Sequence, residues 1–165
     1  MDTLVEEVRV WNTPIVGAFL LWKFTEGYIS NHPSGDAPIG MLHFIALPIL
    51  LNRTLNSAIS NRRDDLQSFI RSFEDAKTSD LLLSIHDKVA EKKMYTLQSI
   101  DIGVSNGLLY WDYDTGKIYS KSVKNIRGNR LRSSLEKEGN KAQILGRWFA
   151  KHDLNVIIDY LKITL

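Results

Sequence analysis

Residues 103–107, Gly-Val-Ser-Asn-Gly, match the G-x-S-x-G pattern in which serine hydrolases hold their nucleophile. In that site a strand precedes the serine and a helix follows it, so that a strained turn presents the hydroxyl group to the substrate. Here the order is reversed, because a helical pattern precedes Ser105 and a strand pattern follows Gly107. The match therefore predicts no nucleophile, and we interpret Gly107 as the residue that ends the helix.

Two further motifs lack what their chemistry requires. Gly35 and Gly40 have the spacing of a phosphate-binding loop, but Met41 and Leu42 stand where lysine and serine or threonine would hold phosphate and magnesium. Residues 91–93, Glu-Lys-Lys, match the acid-x-lysine end of a metal-dependent nuclease site. Such a site projects from strands beside further acids, whereas this one lies in a predicted helical region. We interpret it as a solvent-exposed charged patch.

Metal and thiol chemistry are also not indicated by the sequence. The histidines are tens of residues apart and none has an H-x-x-x-H spacing: His32, His43, His86 and His152. The absence of cysteine removes disulfides, thiolate ligands and a cysteine nucleophile, and it fits a reducing cytosol. The sequence therefore predicts a protein that is not an enzyme, with no catalytic residue, metal or cofactor.

Residues 94–120 predict a helix, a glycine stop and a β-hairpin. Three apolar residues share one helix face because they are three and four positions apart: Leu97, Ile100 and Val104. The helix is expected to end at Asn106-Gly107, after which apolar residues alternate along a strand. Asp-Thr-Gly at 114–116 predicts the turn, and residues 117–120 form the returning strand. This succession is typical of the third helix and wing of a winged-helix domain.

The rest of the chain predicts helices around this unit. A first apolar helix begins at Thr13-Pro14 and runs to about Ser30, and a second covers residues 39–52 with a disturbance at Pro48. Asn61 is expected to cap a helix over residues 62–75. Near the C-terminus, Asn140 with Gln143 resembles a capping box, and Asp153 caps a last helix.

We predict one domain over residues 1–165, mainly α-helical with a small β-hairpin wing and winged-helix-like. Its parts are N-terminal helices over 12–60, helices and wing over 61–121, a basic loop over 122–139 and C-terminal helices over 140–165. The apolar runs at residues 15–22 and 41–51 are far shorter than a bilayer requires, and the N-terminus is acidic. We therefore expect no membrane segment and a cytoplasmic location.

The distribution of charge bears on the partner. Asp101 is the only charged residue between 94 and 106, whereas a DNA-reading helix needs basic side chains there. Five basic residues fall instead in one twelve-residue window: Lys121, Lys124, Arg127, Arg130 and Arg132. This segment could be a solvated loop, or it could contact an acidic protein surface or the DNA backbone.

The wing is also rich in aromatic residues, with Tyr110, Trp111, Tyr113 and Tyr119 in ten positions. These side chains either pack the wing against the core or anchor an interface, and the sequence leaves both readings open. We select six residues of the wing and basic loop as expected partner contacts: Trp111, Tyr113, Tyr119, Lys124, Arg127 and Arg130.

Five blocks together give a family resemblance. They are Trp11-Asn12-Thr13-Pro14, HPSGDAPIG at 32–40, NRRDDLQSFIRSFED at 61–75, YTLQSIDIGVSNGLL at 95–109 and ILGRWF at 144–149. With these blocks the chain resembles the middle component of bacterial three-component ABC systems, a group that includes the Lamassu-type antiphage and antiplasmid systems. The resemblance covers nearly the whole chain, and its blocks are structural rather than catalytic.

The resemblance implies a small winged-helix accessory subunit without enzymatic activity. Its partners would be a large ABC ATPase, similar to the SMC-type coiled-coil ATPases of DNA repair and chromosome structure, and an effector that is often a nuclease. The middle component would bridge the two and keep the effector inactive until foreign DNA is sensed. The alternative is a DNA-binding winged-helix regulator or DNA-sensing subunit, with sequence-independent contacts to the DNA backbone.

Overall fold

A computed structural model describes residues 13–74, 78–123 and 133–164. Within these ranges the chain is mainly helical, with a two-stranded antiparallel sheet between the last two long helices. The helices are α1 (Pro14–Asn31), α2 (Gly40–Leu51), α3 (Arg53–Ser57), α4 (Leu66–Arg71), α5 (Ser79–Leu83), α6 (Ile85–Glu91), α7 (Lys93–Ser105), α8 (Ser133–Phe149) and α9 (Leu154–Tyr160). The strands are β1 (Leu109–Asp112) and β2 (Lys117–Ser120). The predicted fold class, mainly α with a small hairpin, is confirmed.

Helix α1 lies at the centre of the domain. Pro14 stands in its first turn, where the fixed φ angle suits a helix and the missing amide hydrogen removes no bond. Leu20, Leu21 and Phe24 are almost completely buried, and α1 packs against both α7 and α8. The apolar helix that the sequence predicts is therefore mostly core, although Ile15 in its first turn is 66% exposed.

The contact between α1 and α8 is unusually close because glycines line it. A Cβ atom on Gly27 would overlap the main chain of Gln143, and one on Gly146 would overlap the carbonyl oxygen of Phe24. Trp148 and Phe149 on α8 are completely buried, and the Trp148 ring contacts the Phe69 ring of α4 with centroids 5.7 Å apart. These contacts join three helices from distant parts of the sequence into one core.

Helix α4 is shorter than predicted. It begins after Asp65, whose Oδ1 accepts a hydrogen bond of 2.8 Å from the Ser68 amide, and not after Asn61. An aspartate directly before the first turn reaches the free amides of the helix, so the earlier start at residue 62 is wrong. The predicted inner residues are nevertheless all buried: Leu66, Phe69, Ile70 and Phe73.

Helix α8 starts earlier than predicted. The expected basic loop extends to residue 139, but residues 133–139 already belong to the helix. Asn140 and Gln143 therefore lie inside the helix, and the predicted capping box is wrong. Packing explains the difference, since Gly139 lies against Phe19 and Lys23 of α1 and this contact favours helix where the local sequence is mostly polar.

The hairpin has the predicted strands and turn. Tyr110 pairs with Tyr119 and Trp111 with Ile118, and Gly116 in the turn has a φ of 71°. On its other edge β2 meets the segment before α2, because the Ile118 amide donates to the Pro38 carbonyl oxygen at 2.9 Å. The Gly40 amide donates to the Gly116 carbonyl oxygen at 2.8 Å. Main-chain hydrogen bonds therefore fix the hairpin to the start of α2.

Two short-range predictions concern helix ends. Gly107 has a φ of 72°, and the Leu108 amide donates to the Gly103 carbonyl oxygen at 2.9 Å, which closes α7 as the sequence predicts. Helix α2 continues through Pro48 to Leu51 and is not interrupted there. Pro48 cannot donate to the Phe44 carbonyl oxygen, so one helical hydrogen bond is missing there, and α2 ends three residues later.

A buried histidine joins α1 and α2. The Thr25 hydroxyl group donates to the Leu21 carbonyl oxygen at 2.7 Å, and its oxygen lies 2.8 Å from Nε2 of His43. The other ring nitrogen of His43, Nδ1, lies 3.4 Å from the Ile39 carbonyl oxygen, so the imidazole is held from both sides. His43 is completely buried, and this burial lowers its pKa from 6.5 to about 4.

We expect acid to destabilise the domain through His43. The folded pKa lies below the unfolded one, so between pH 6.5 and pH 4 the unfolded chain binds the proton first. The free energy of unfolding should therefore fall by about 3 kcal/mol across this range. Urea unfolding at several pH values should show this slope in the native protein and much less of it in a His43→Gln variant. Equal slopes in the two proteins would contradict the assignment.

Candidate protein-interaction surface

Helix α7 packs on α1 through small and polar residues. Its buried residues are three and four positions apart: Thr96, Ser99, Ile100 and Gly103. A Cβ atom on Gly17 would overlap the Ser99 side chain, so the two helices approach closely at this point. The Tyr95 hydroxyl group also donates to the Thr13 carbonyl oxygen at 2.6 Å. The face of α7 that contacts the core is therefore defined by small size rather than by hydrophobicity.

The larger apolar residues of α7 point outward as a consequence. Met94 is 62% exposed, Leu97 37% and Val104 36%. The sequence predicted that Leu97 and Val104 share the packed face with Ile100, and only Ile100 is buried there. The sequence signal for this orientation was the row of small residues at helical spacing, Thr96, Ser99 and Gly103. Small side chains let α7 approach α1 more closely than Leu97 and Val104 would.

The outward face carries little charge. Asp101 is exposed between Leu97 and Val104, and no basic residue occurs from Met94 to Ser105. The helix starts one residue earlier than predicted, which adds Lys93 to its first turn. A helix that reads DNA presents arginine and lysine to phosphates and base edges along its length. This face instead carries three apolar side chains with Gln98, Ser105 and a single acid, and it has no base between Met94 and Ser105.

The wing divides the predicted aromatic contacts between its two faces. Tyr113 at the turn is 82% exposed and stacks on Trp111, with ring centroids 5.6 Å apart. Trp111 is half-buried and its ring lies against Gly40. Tyr119 is on the other face with Tyr110, which is 52% exposed, and their centroids are 6.3 Å apart. Of the predicted contact residues, Trp111 and Tyr113 therefore lie together on one face of the wing, and Tyr119 lies on the other.

The wing turn is held by its own polar groups. Asp112 accepts from the Thr115 hydroxyl group at 2.7 Å and from the Asp114 amide at 3.0 Å. The hydrogen bond from Thr115 is the main cause that lowers the pKa of the Asp112 carboxyl group. Lys117 forms an ion pair with Asp36, and this bond lowers the pKa of Asp36. The Asp112 carboxylate group thus stabilises the turn.

The basic segment is only partly described. Lys121 is exposed, its Nζ lies 6.0 Å from the centroid of Tyr110, and its carbonyl oxygen accepts from Nε1 of Trp22 at 3.0 Å. The predicted contact residues Lys124, Arg127 and Arg130, together with Arg132, lie outside the described residues. The Trp22 bond places the start of this segment beside α1. The Tyr110 contact places it beside the face of the wing that carries Tyr110 and Tyr119.

The motifs with possible chemistry are not assembled into a site. Ser105 is the exposed last residue of α7, and a strand rather than a helix follows it. Across residues 13–74, 78–123 and 133–164, no three histidine or acidic side chains are placed to hold a metal ion. The hydrolase pattern therefore coincides with a helix end, which explains the two glycines without an active site.

Replacing Ser105 with alanine should change little. The hydroxyl group is exposed at the end of α7, so we expect the free energy of unfolding to stay within about 0.5 kcal/mol of the native value. Activity of any complex that contains the protein should also be unchanged. Urea unfolding and an activity assay of that complex check this, and a loss of activity without a loss of stability would restore the nucleophile hypothesis.

The whole chain, residues 1–165, matches the family described as ABC-three component (ABC-3C) system Middle Component 3. The chain belongs to this family. No curated protein and no solved structure matches it significantly. The assignment confirms the middle-component part of the resemblance drawn from the sequence.

As a middle component, the protein is an accessory part of a multi-component ABC system and has partner subunits. Over the ranges that the structure covers, none of the helices combines the length and apolar character needed to span a bilayer.

Proposed function

We propose that this Middle Component 3 protein is a non-enzymatic adaptor that links the ATPase of its ABC system to an effector. The observation that carries the proposal is the outward face of α7 beside the wing, which exposes Met94, Leu97 and Val104 with Asp101 as their charged neighbour. We call this face, together with the exposed Tyr110 and Tyr113 on the two faces of the wing, the α7–wing surface.

The composition of the α7–wing surface supports a protein partner. Apolar and aromatic side chains that lose water on binding supply most of the affinity of protein interfaces. Tyr110 and Tyr113 are the most exposed aromatic side chains of the wing, and each combines a large apolar ring with a hydroxyl group. A hairpin fixed by main-chain bonds to α2 and by the Lys117–Asp36 ion pair presents them with little loss of conformational entropy.

The proposed identities of the partners and of the system rest on the family resemblance. The ATPase would be an SMC-like coiled-coil protein, and the effector would be a nuclease held inactive until the ATPase senses foreign DNA. The system would be of the Lamassu type, acting in the cytoplasm against phages or plasmids. The chain would contribute binding surfaces and no catalytic group. The predicted contacts Lys124, Arg127 and Arg130 would extend the α7–wing surface toward an acidic patch on a partner.

Bridging can be tested with the three subunits of the system. The ATPase and the effector should elute together from a size-exclusion column when this protein is present and separately when it is omitted. Effector activity in the absence of DNA should also be lower in the three-subunit complex than in the effector alone. Co-elution of the ATPase and effector without this protein would refute the bridging role, and unrestrained activity in the complex would refute the restraint.

A DNA-binding winged-helix regulator or sensing subunit is the second candidate function. It is favoured by the succession of α7, β1 and β2 and by the pairing of β2 with the segment before α2, which are compatible with a winged helix. Duplex DNA should be titrated at about 50 and about 200 mM salt. Steep weakening with salt and with substitution of Arg127, Arg130 and Arg132 by glutamine would support this function, and no binding at the lower salt would exclude it.

A further inference from the structure

A polar cleft of about 380 Å³ lies between α1, α8 and the loop that precedes α4. Side-chain amides and one guanidinium group form much of its lining: Asn31, Asn61, Asn140, Gln143 and Arg147, with Glu26 beside them. None of these residues belongs to the α7–wing surface. The cleft is thus a separate feature of the molecule.

Arg147 has an unsatisfied donor in this cleft. Its Nε atom is shielded from solvent and has no hydrogen-bond partner among the described residues. The ion pairs found in those residues join Lys23 to Glu26 and Lys117 to Asp36, so neither includes Arg147. A buried donor without an acceptor is destabilising, and more so when the group is charged. Arg147 also lines the cleft, so an acceptor that reaches its Nε atom from there would remove this destabilisation.

The acid in the lining of the cleft, Glu26, already has hydrogen-bond partners. Oε2 of Glu26 accepts from Nζ of Lys23 at 2.9 Å and from Nε2 of Gln143 at 3.2 Å. These bonds hold the carboxylate on the α1 side of the cleft and leave the guanidinium group of Arg147 for another anion. Because a guanidinium fork matches a carboxylate group, that anion is best supplied by aspartate or glutamate.

The amides around Arg147 indicate that the anion is part of a polypeptide. The exposed side-chain amides of Asn61 and Asn140 have no hydrogen-bond partner among the described residues, and that of Asn31 uses only its nitrogen, which donates to the Gly27 carbonyl oxygen at 2.8 Å. Each free amide offers a donor and an acceptor, which together complement a peptide group. Inorganic phosphate fits less well, because it has no peptide groups to pair with these amides.

We propose that this cleft binds an acidic segment of a partner polypeptide, with a carboxylate on Arg147 and the main chain of the segment on the asparagine amides. The site is independent of the α7–wing surface and would give the adaptor a second contact. Such a pair of separate surfaces is what a protein needs in order to hold two subunits at once.

The Arg147 Nε–H resonance of the full-length ¹⁵N-labelled protein reports directly on this contact. The probes are a blocked hexaglutamate peptide, a blocked hexaglutamine peptide of the same length, and inorganic phosphate. We expect hexaglutamate to shift the resonance saturably, and hexaglutamine and phosphate to bind at least about tenfold more weakly. No shift with hexaglutamate, an equal shift with hexaglutamine, or a shift with phosphate alone would overturn the proposal.

Two variants separate this site from general charge effects. Arg147→Gln should abolish hexaglutamate binding, measured by calorimetry, whereas Arg53→Gln removes an exposed arginine elsewhere and should leave it unchanged. Asn140 is exposed, so Asn140→Asp should fold normally and weaken hexaglutamate at least about tenfold by adding a negative charge to the lining. Equal weakening by Arg53→Gln, or none by Asn140→Asp, would contradict the site.

Discussion

A Leu97→Glu variant is expected to bind the partner subunits of the ABC system at least about tenfold more weakly than the native protein. Leu97 lies between Met94 and Val104 on the outward face of α7, and a carboxylate there would be desolvated on binding beside Asp101. Losing a central apolar contact and burying a charge each cost more than 1 kcal/mol at an interface. Surface plasmon resonance with immobilised ATPase or effector measures the effect.

Leu83→Glu is the matched control for this prediction. Leu83 on α5 is 58% exposed, so the substitution makes the same chemical change at an exposed leucine outside the α7–wing surface. We expect its affinity to equal that of the native protein, and circular dichroism should show both variants folded. An unchanged affinity for Leu97→Glu, or an equal loss for Leu83→Glu, would show that α7 does not make the contact.

A Gly146→Ala variant is expected to lose at least about 3 kcal/mol of stability and to unfold partly at 37 °C. The added methyl group would overlap the carbonyl oxygen of Phe24, a main-chain atom that cannot turn away. The variant therefore forces α1 and α8 apart and opens the core around Trp148. Thermal and urea unfolding measure this loss.

Gly40→Ala is the control for the glycine effect. A Cβ atom on Gly40 would lie 3.4 Å from the Trp111 ring, which is an ordinary contact, so we expect a change of less than about 1 kcal/mol. A similar loss in both variants would mean that glycine matters for its flexibility and not for the close approach of the two helices.

The hairpin and its preceding glycine were predictable because their signals are local. Gly107 ends α7 through bonds to residues within the last turn, and the Asp112 turn is held by groups two and three positions away. Helix α1 was equally clear, since a long apolar segment behind Thr13-Pro14 leaves few other structures open. In these places the sequence neighbours of a residue decide its conformation.

The orientation of α7 and the start of α8 depend on contacts between distant residues. Ser99 faces inward because Gly17, eighty-two positions earlier, allows α1 to approach, and the small residues of α7 do not by themselves identify the helix that meets them. Gly139 is helical because it packs on Phe19 and Lys23. Such choices depend on which surfaces meet, and the periodicity of one segment cannot fix them.

The candidate surfaces were found only in part for the same reason. The sequence pointed to Tyr113 and Trp111 because aromatic residues clustered in one hairpin, but it assigned Leu97 and Val104 to the packed side. Arg147 is a single charge between apolar residues of α8, and a charged residue in such a segment is the signal that could have drawn attention to the cleft. The lack of a hydrogen-bond partner for its Nε atom depends on how α1 and α8 pack together, and the sequence of α8 alone does not show it.

Photo-crosslinking within the assembled system tests the central claim most directly. A benzoylphenylalanine residue should be introduced in separate variants at Met94, at Tyr113 and at Leu83, all of which are exposed. The adaptor account predicts crosslinks from positions 94 and 113 to another subunit of the ABC system, and none from position 83. Crosslinks to DNA from the first two positions, or to a subunit only from position 83, would contradict the claim that the α7–wing surface holds a protein partner.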